Sequence, residues 1–95
     1  MSAAPPEVLM YTRRVCAYCV AAKNLLRAKG VTWREINLDE SPQELEAMVQ
    51  RSGRRTVPQV FIGDRHVGGY DDLVDLDREG KLNPLLGLSP RQAAR

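Results

Sequence analysis

The chain reads VLMYTRRVCAYC from residue 8 to residue 19, an apolar run followed closely by two cysteines. The apolar run predicts a β-strand, and the segment from Cys16 onward predicts a helix, because its apolar residues recur at helical spacing. In such a helix the three-residue separation places Cys16 and Cys19 on one face. Cys16 then lies at the helix N-terminus, where unpaired N–H groups and the helix dipole stabilise a thiolate. We therefore expect a depressed pKa at Cys16 and a Cys19 thiol close enough to attack a mixed disulfide formed there.

The length of 95 residues fits one domain that folds without structural disulfides or metal. A disulfide between cysteines three positions apart would add little stability, so the pair is available for chemistry. The net charge of +2 argues against nucleic acid as a partner. The sequence shows neither a signal-like N-terminus nor a run of 18 apolar residues. We expect no membrane association and a cytoplasmic location, where CxxC beside a βα pattern is typical of redox or metal sites.

One domain is predicted over 7–88, with 1–6 and 89–95 as disordered tails. Ser41 is expected to cap the second helix, with Glu44 completing a capping box. The order β-α-β-α-β-β-α predicts an α/β fold with a four-stranded mixed sheet. Two crossover helices are expected to make the early strands parallel, and a hairpin adds an antiparallel edge. The predicted strands are 7–12, 31–38, 57–62 and 65–68, and the predicted helices span about 16–29, 41–52 and 70–79, with a short turn at 83–86.

Three motifs occur in a telling order: CAYC at 16–19, Thr-Val-Pro at 56–58 and Gly-Gly-Tyr-Asp-Asp at 68–72. Together they resemble those of the dithiol glutaredoxins, and the resemblance covers residues 7 to about 87. It implies a thioredoxin-like three-layer fold with helices on both faces of the sheet. It also implies a glutathione-dependent thiol–disulfide oxidoreductase that reduces glutathione mixed disulfides and protein disulfides and works as a monomer.

In this resemblance Cys16 is the nucleophile and Cys19 the resolving thiol. The helix N-terminus and the neighbouring Arg13 and Arg14 favour the Cys16 thiolate, which gives an expected pKa of roughly 3.5–7.5. A buried, inert pair is the alternative, and it does not fit the helix start and the basic flank.

The same resemblance implies a glutathione site. Pro58 is expected to follow a cis peptide bond, which leaves the Val57 backbone free to pair with an extended tripeptide. The backbone of Tyr70 and Asp71 is assigned to the γ-glutamyl carboxylate, although these residues also fit a simple helix cap. Arg13 and Arg55 are expected to form a basic groove, although each alone also reads as a surface charge. The implied glutathione-binding residues are Arg13, Tyr18, Arg55, Thr56, Val57, Pro58, Gly69, Tyr70, Asp71 and Asp72.

Other interpretations stay open at the sequence level. An intramolecular zinc site needs four ligands, and the chain offers two cysteines and His66, which is expected to be a solvent-facing strand residue. Ala17 stands where the commonest dithiol form has proline, so we expect a reduction potential different from roughly −200 to −230 mV. Some relatives with a small residue there hold a [2Fe-2S] cluster between two subunits through the first cysteine, here Cys16, and glutathione. A redoxin reduced directly by thioredoxin reductase is the remaining rival.

Overall fold

The computed structural model describes residues 6–88, so the predicted tails lie outside the described residues, apart from residue 6. Four strands form one sheet in the order β2-β1-β3-β4. In the described part of the chain, no helix has the length and apolar character needed to cross a bilayer. The elements are β1 (Val8–Thr12), α1 (Ala17–Ala28), β2 (Arg34–Asn37), a 3₁₀ turn (Pro42–Glu44), α2 (Leu45–Ser52), β3 (Gln59–Ile62), β4 (Arg65–Gly68), α3 (Tyr70–Arg78) and α4 (Leu82–Leu85).

The direction of β3 differs from the expectation that both crossover helices join parallel strands. Strands β1 and β2 are parallel, as predicted. Strand β3, however, is antiparallel to β1, with Leu9 opposite Phe61, and β4 is antiparallel to β3. Tyr11 lies opposite Gln59, the first residue of β3, so the chain enters β3 at the end of the sheet where β1 and β2 finish. The loop that follows β1 and the loop that precedes β3 therefore meet at this end.

The sheet has a core on each face because successive strand residues point to opposite sides. On one face Val8, Met10 and Val60 pack with residues of α1, α3 and α4. On the other face Tyr11 and Phe61 pack with residues of α2. This arrangement of helix, sheet and helix confirms the three-layer α/β prediction.

The start of the second helix differs from the sequence prediction. Ser41 precedes the 3₁₀ turn but makes no side-chain capping hydrogen bond, so the predicted capping box with Glu44 is wrong. The Glu44 backbone N–H donates to the Ser41 carbonyl oxygen at 2.9 Å, so a 3₁₀-type backbone bond takes the place of the side-chain cap. The Asn37 side chain accepts hydrogen bonds from the backbone N–H groups of Asp39 and Glu40, at 2.8 and 3.3 Å, in the turn that precedes Ser41.

Candidate active site

Cys16 is the N-cap residue of α1, with extended backbone angles (φ −156°, ψ 101°). Its Sγ accepts a hydrogen bond from the backbone N–H of Cys19 at 3.0 Å, so sulfur does what a serine or aspartate oxygen usually does at this position. The two cysteines form a disulfide, with their Cα atoms 5.2 Å apart. Cys16 is half-buried, whereas Cys19 is 1% exposed. The helix start therefore presents one sulfur to solvent and keeps the other inside.

The Thr56–Pro58 loop lies beside this pair. The Val57–Pro58 peptide bond is cis, which confirms the expectation from the resemblance. The Val57 carbonyl oxygen lies 3.9 Å from Cys16 Sγ. Gln59, wholly buried at the start of β3, donates from Nε2 to the carbonyl and hydroxyl oxygens of Thr56 at 3.1 and 3.2 Å. These contacts hold the loop against the redox pair.

Two glycines bring the start of α3 against the same loop. A Cβ atom at Gly69 would lie 3.4 Å from the Pro58 carbonyl oxygen, within van der Waals contact, so the start of α3 lies directly against this loop. Gly68 has φ +120°, and a Cβ there would overlap the Asp72 carboxylate. That carboxylate accepts a hydrogen bond from the Gly69 N–H at 2.9 Å and so caps the helix. The predicted diglycine therefore leaves room for the Asp72 side chain at Gly68 and for the Pro58 backbone at Gly69.

A groove of about 230 Å³ runs between these elements, next to Cys16. Tyr18 of α1 and Tyr70 of α3 stack with ring centroids 6.1 Å apart. The groove brings together most of the predicted glutathione-binding residues. Its lining consists of Tyr18, Arg54, Thr56, Val57, Pro58, Gly69, Tyr70, Asp71 and Asp72.

The cation that lines the groove is Arg54, which the sequence reasoning missed. Its Nη1 lies 3.0 Å from Asp72 Oδ2. The hydrogen bond from the Gly69 backbone, together with Arg54, holds the pKa of Asp72 below its ordinary value. Arg55 is exposed and does not line the groove. The Arg54-Arg55 pair in the sequence indicates a cation at the groove, but it does not show which of the two arginines faces the groove.

Arg13 lies upstream of Cys16 and is bound to Asp39, which follows β2. Its Nη1 is 3.2 Å from Asp39 Oδ1, and the backbone N–H of Arg14 donates to Asp39 Oδ2 at 2.6 Å. These contacts, the Arg14 backbone bond first, lower the pKa of Asp39. Arg13 is not among the groove-lining residues. Asp39 thus holds Arg13 and Arg14, the residues that lead from β1 towards α1.

His66 is half-buried, so the expectation of a solvent-facing residue is wrong. Its Nε2 lies 2.7 Å from Gln59 Oε1, and its ring lies 5.0 Å from that of Phe61. Burial lowers the pKa of His66, and the nearby Arg54 lowers it further. Within residues 6–88, the Cys, His, Asp and Glu side chains form no cluster of three or more that could hold a metal ion.

Comparisons with known proteins show the family of this chain. A family model for glutaredoxins matches residues 8–67. The chain belongs to the glutaredoxin family. It is 51% identical to glutaredoxin 3 of Escherichia coli (strain K12) over 80 residues, which cover 84% of this chain and 96% of the relative.

Solved glutaredoxin structures share the fold. The solution structure of glutaredoxin from Brucella melitensis matches with a TM-score of 0.76 at 50% identity, covering 86% of this chain and 89% of that one. A crystal structure of a buckwheat glutaredoxin–glutathione complex matches with a TM-score of 0.80 at 35% identity, covering 86% and 77%. The fold is thioredoxin-like, and the protein is a thiol–disulfide oxidoreductase of this family.

Proposed function

We propose that the protein is a glutathione-dependent oxidoreductase that reduces glutathione mixed disulfides and protein disulfides through the Cys16–Cys19 pair. The observation that carries this proposal is the position of Cys16 Sγ. This sulfur accepts a hydrogen bond from the Cys19 N–H at 3.0 Å and lies 3.9 Å from the Val57 carbonyl oxygen, beside a groove of about 230 Å³. A thiolate at Cys16 would be stabilised by the helix N-terminus and would face whatever occupies the groove.

The groove has the chemistry to hold glutathione. An extended tripeptide can pair with the Val57 backbone in the manner of an added strand. The N-terminus of α3, at Tyr70 and Asp71, presents backbone N–H groups to the γ-glutamyl carboxylate, and an acidic side chain of Asp71 or Asp72 suits the α-amino group. Arg54, which is bound to Asp72, offers a cation to the carboxylate at the same γ-glutamyl end. A family member bound to glutathione supports this assignment.

The first reaction branch needs one cysteine. The Cys16 thiolate attacks the glutathione sulfur of a mixed disulfide, the original S–S bond breaks, and the substrate protein leaves as a thiolate that takes up a proton. A second glutathione thiolate then attacks the glutathione sulfur on Cys16. Oxidised glutathione leaves, and the Cys16 thiolate returns. One glutathione thiol is consumed for each protein thiol released, and the two glutathione molecules leave joined by a disulfide bond.

The second branch needs both cysteines. Cys16 forms a mixed disulfide with a protein substrate, and the Cys19 thiolate attacks Cys16 Sγ, which releases the reduced substrate. The product is the Cys16–Cys19 disulfide that the structure contains. Two glutathione molecules then reduce it. Val15 and Tyr18, 93% and 64% exposed, give a protein partner apolar surface next to the reacting sulfur.

Turnover measured with glutathione and its reductase tests this proposal. Cys16→Ser should abolish reduction of both a glutathionylated peptide and a protein disulfide. Cys19→Ser should retain the first activity and lose the second. Equal loss of both activities in Cys19→Ser would contradict the assigned roles. Turnover sustained by thioredoxin reductase without glutathione would favour the rival redoxin.

Cluster binding is a second candidate because Ala17 replaces the more usual proline beside Cys16. Among the described residues this chain would supply Cys16 as the ligand, while glutathione and a second subunit would supply the others. A [2Fe-2S] cluster bound there would make the protein a carrier. Anaerobic reconstitution with iron, sulfide and glutathione decides the point, since a colourless monomer would rule the carrier out.

We propose a monomeric, cytoplasmic protein whose domain spans 7–88 and acts on glutathionylated and disulfide-bonded proteins.

A further inference from the structure

A chain of hydrogen bonds runs from β4 to the groove wall through a wholly buried side chain. His66 Nε2 lies 2.7 Å from Gln59 Oε1. Gln59 Nε2 contacts both oxygens of Thr56, at 3.1 and 3.2 Å. Gln59 is 0% exposed, so each end of its amide depends on these neighbours rather than on solvent. The reaction steps described above use neither His66 nor Gln59.

The direction of this chain follows from the Thr56 carbonyl. A carbonyl oxygen only accepts hydrogen bonds, so the amide NH₂ of Gln59 must face Thr56 and its oxygen must face His66. The His66 nitrogen at that contact must then carry a proton. If the amide turned over, two acceptor oxygens would meet in a buried place, which is costly. A donor at His66 Nε2 therefore holds the Gln59 amide in the orientation that binds Thr56.

The surroundings of His66 keep this donor in place. The ring packs against Phe61, and the charged groups that act on it are Arg54 and Asp72. Burial and Arg54 lower its pKa, so the ring is neutral near pH 7 and carries one proton. Because Nε2 faces the Gln59 oxygen, which can only accept a hydrogen bond, this proton lies on Nε2. Protonation in acid adds a second proton at Nδ1 and leaves the bond to Gln59 intact.

We propose that His66 is a positioning residue for the disulfide reaction: through Gln59 it fixes Thr56, and with it the Val57 carbonyl that borders Cys16. The proposal rests on the proposed function where it concerns glutathione, because Thr56 and Val57 form one wall of the groove. Without the donor, the buried Gln59 oxygen has no partner, and the hold of Gln59 on Thr56 is weakened. Cys16 and its helix N-terminus stay unchanged. Substrate binding should suffer, and the reactivity of Cys16 should not.

Two variants separate hydrogen bonding from ring packing. His66→Phe keeps a ring against Phe61 but has no donor. His66→Gln has an NH₂ group that reaches the place of Nε2. We expect His66→Phe to raise the KM for a glutathionylated peptide about fivefold, with kcat and the pH profile of Cys16 alkylation nearly unchanged. His66→Gln should restore most of the affinity. An unchanged KM in His66→Phe, or an equal loss in His66→Gln, would overturn the proposal.

Nuclear magnetic resonance of the wild-type protein provides a test that needs no variant to fold. The ¹⁵N shifts of His66 should show the Nε2–H tautomer near pH 7, and an Nδ1–H tautomer would overturn the proposal.

In His66→Phe the backbone amide signals of Thr56 and Val57 should move, and in His66→Gln they should return towards the wild type. These signals decide the positioning role by themselves. Absence of wild-type turnover with glutathionylated peptide would instead refute the proposed function.

Discussion

The backbone N–H of Cys19 donates to the Sγ of Cys16 across 3.0 Å, and this contact orients the first turn of α1 towards the reacting sulfur. In the reduced protein the same N–H would stabilise a thiolate more than a thiol. The contact links the helix start to the expected nucleophile.

Alkylation of reduced protein by iodoacetamide tests this link. We expect the rate at Cys16 to reach half its maximum well below pH 8.5, the approximate pKa of an unperturbed cysteine, because the helix N-terminus favours the thiolate. The same cysteine in urea-unfolded protein is the control and should react with an ordinary profile. Identical midpoints in the two states would remove the basis for an activated sulfur.

The Asp72 carboxylate should support both α3 and the groove. Asp72→Ala removes the acceptor for Gly69 N–H and the partner of Arg54, so we expect a loss of about 1 kcal/mol in the free energy of unfolding and a higher KM for a glutathionylated substrate. Asp71→Ala, at the neighbouring exposed position, is the matched control for stability. Urea unfolding of both variants measures the difference, and equal stabilities would argue against the cap.

Gly68 and Gly63 provide a test of close packing. Both have positive φ angles, so alanine is strained at either position, by about 1–2 kcal/mol for a left-handed residue. A methyl group at Gly68 also overlaps the Asp72 carboxylate, whereas the space around Gly63 is open. Gly68→Ala should therefore raise the KM for glutathionylated peptide, and Gly63→Ala should lower only the melting temperature. Similar kinetics in the two variants would contradict this account.

Ionisation of Glu35 should make the free energy of unfolding depend on pH. Burial opposes its ionisation, but hydrogen bonds from Lys23, Thr12 and Trp33 outweigh burial and hold its pKa below the ordinary value. A carboxylate with a lowered folded-state pKa stabilises the protein above its unfolded pKa, and this contribution is lost as the pH falls through the folded value.

We expect Glu35→Gln to lower the free energy of unfolding at pH 7 by about 1 kcal/mol. The difference from wild type should shrink as the pH falls below about 4.3. Glu46→Gln, on the exposed side of α2, is the control and should show little change at either pH. A difference that persists unchanged at pH 3 would mean that charge at Glu35 is unimportant.

Local signals in the sequence account for what could be predicted. The apolar run before Cys16, the helical spacing after it and the three motifs predicted the family, the element order and the three-layer fold, all of which are confirmed. The cis bond before Pro58 came from the resemblance alone and is also confirmed.

Other features of the fold and the site depend on contacts that local residue patterns do not encode. The direction of β3 depends on where the chain re-enters the sheet, which residue types do not encode. Arg54 and Arg55 are chemically identical, and only the fold places Arg54 beside Asp72. His66 looked like a surface residue because its partner, Gln59, lies across a hairpin.

The burial of Cys19 has a consequence for oxidative stress. A peroxide in solution meets Cys16 first, because the other sulfur is enclosed by the protein. The sulfenic acid formed on Cys16 would condense with the enclosed thiol, releasing water and giving the internal disulfide before further oxygen atoms could add. Cys16 is thereby protected from overoxidation, because cellular thiols can reduce the internal disulfide again.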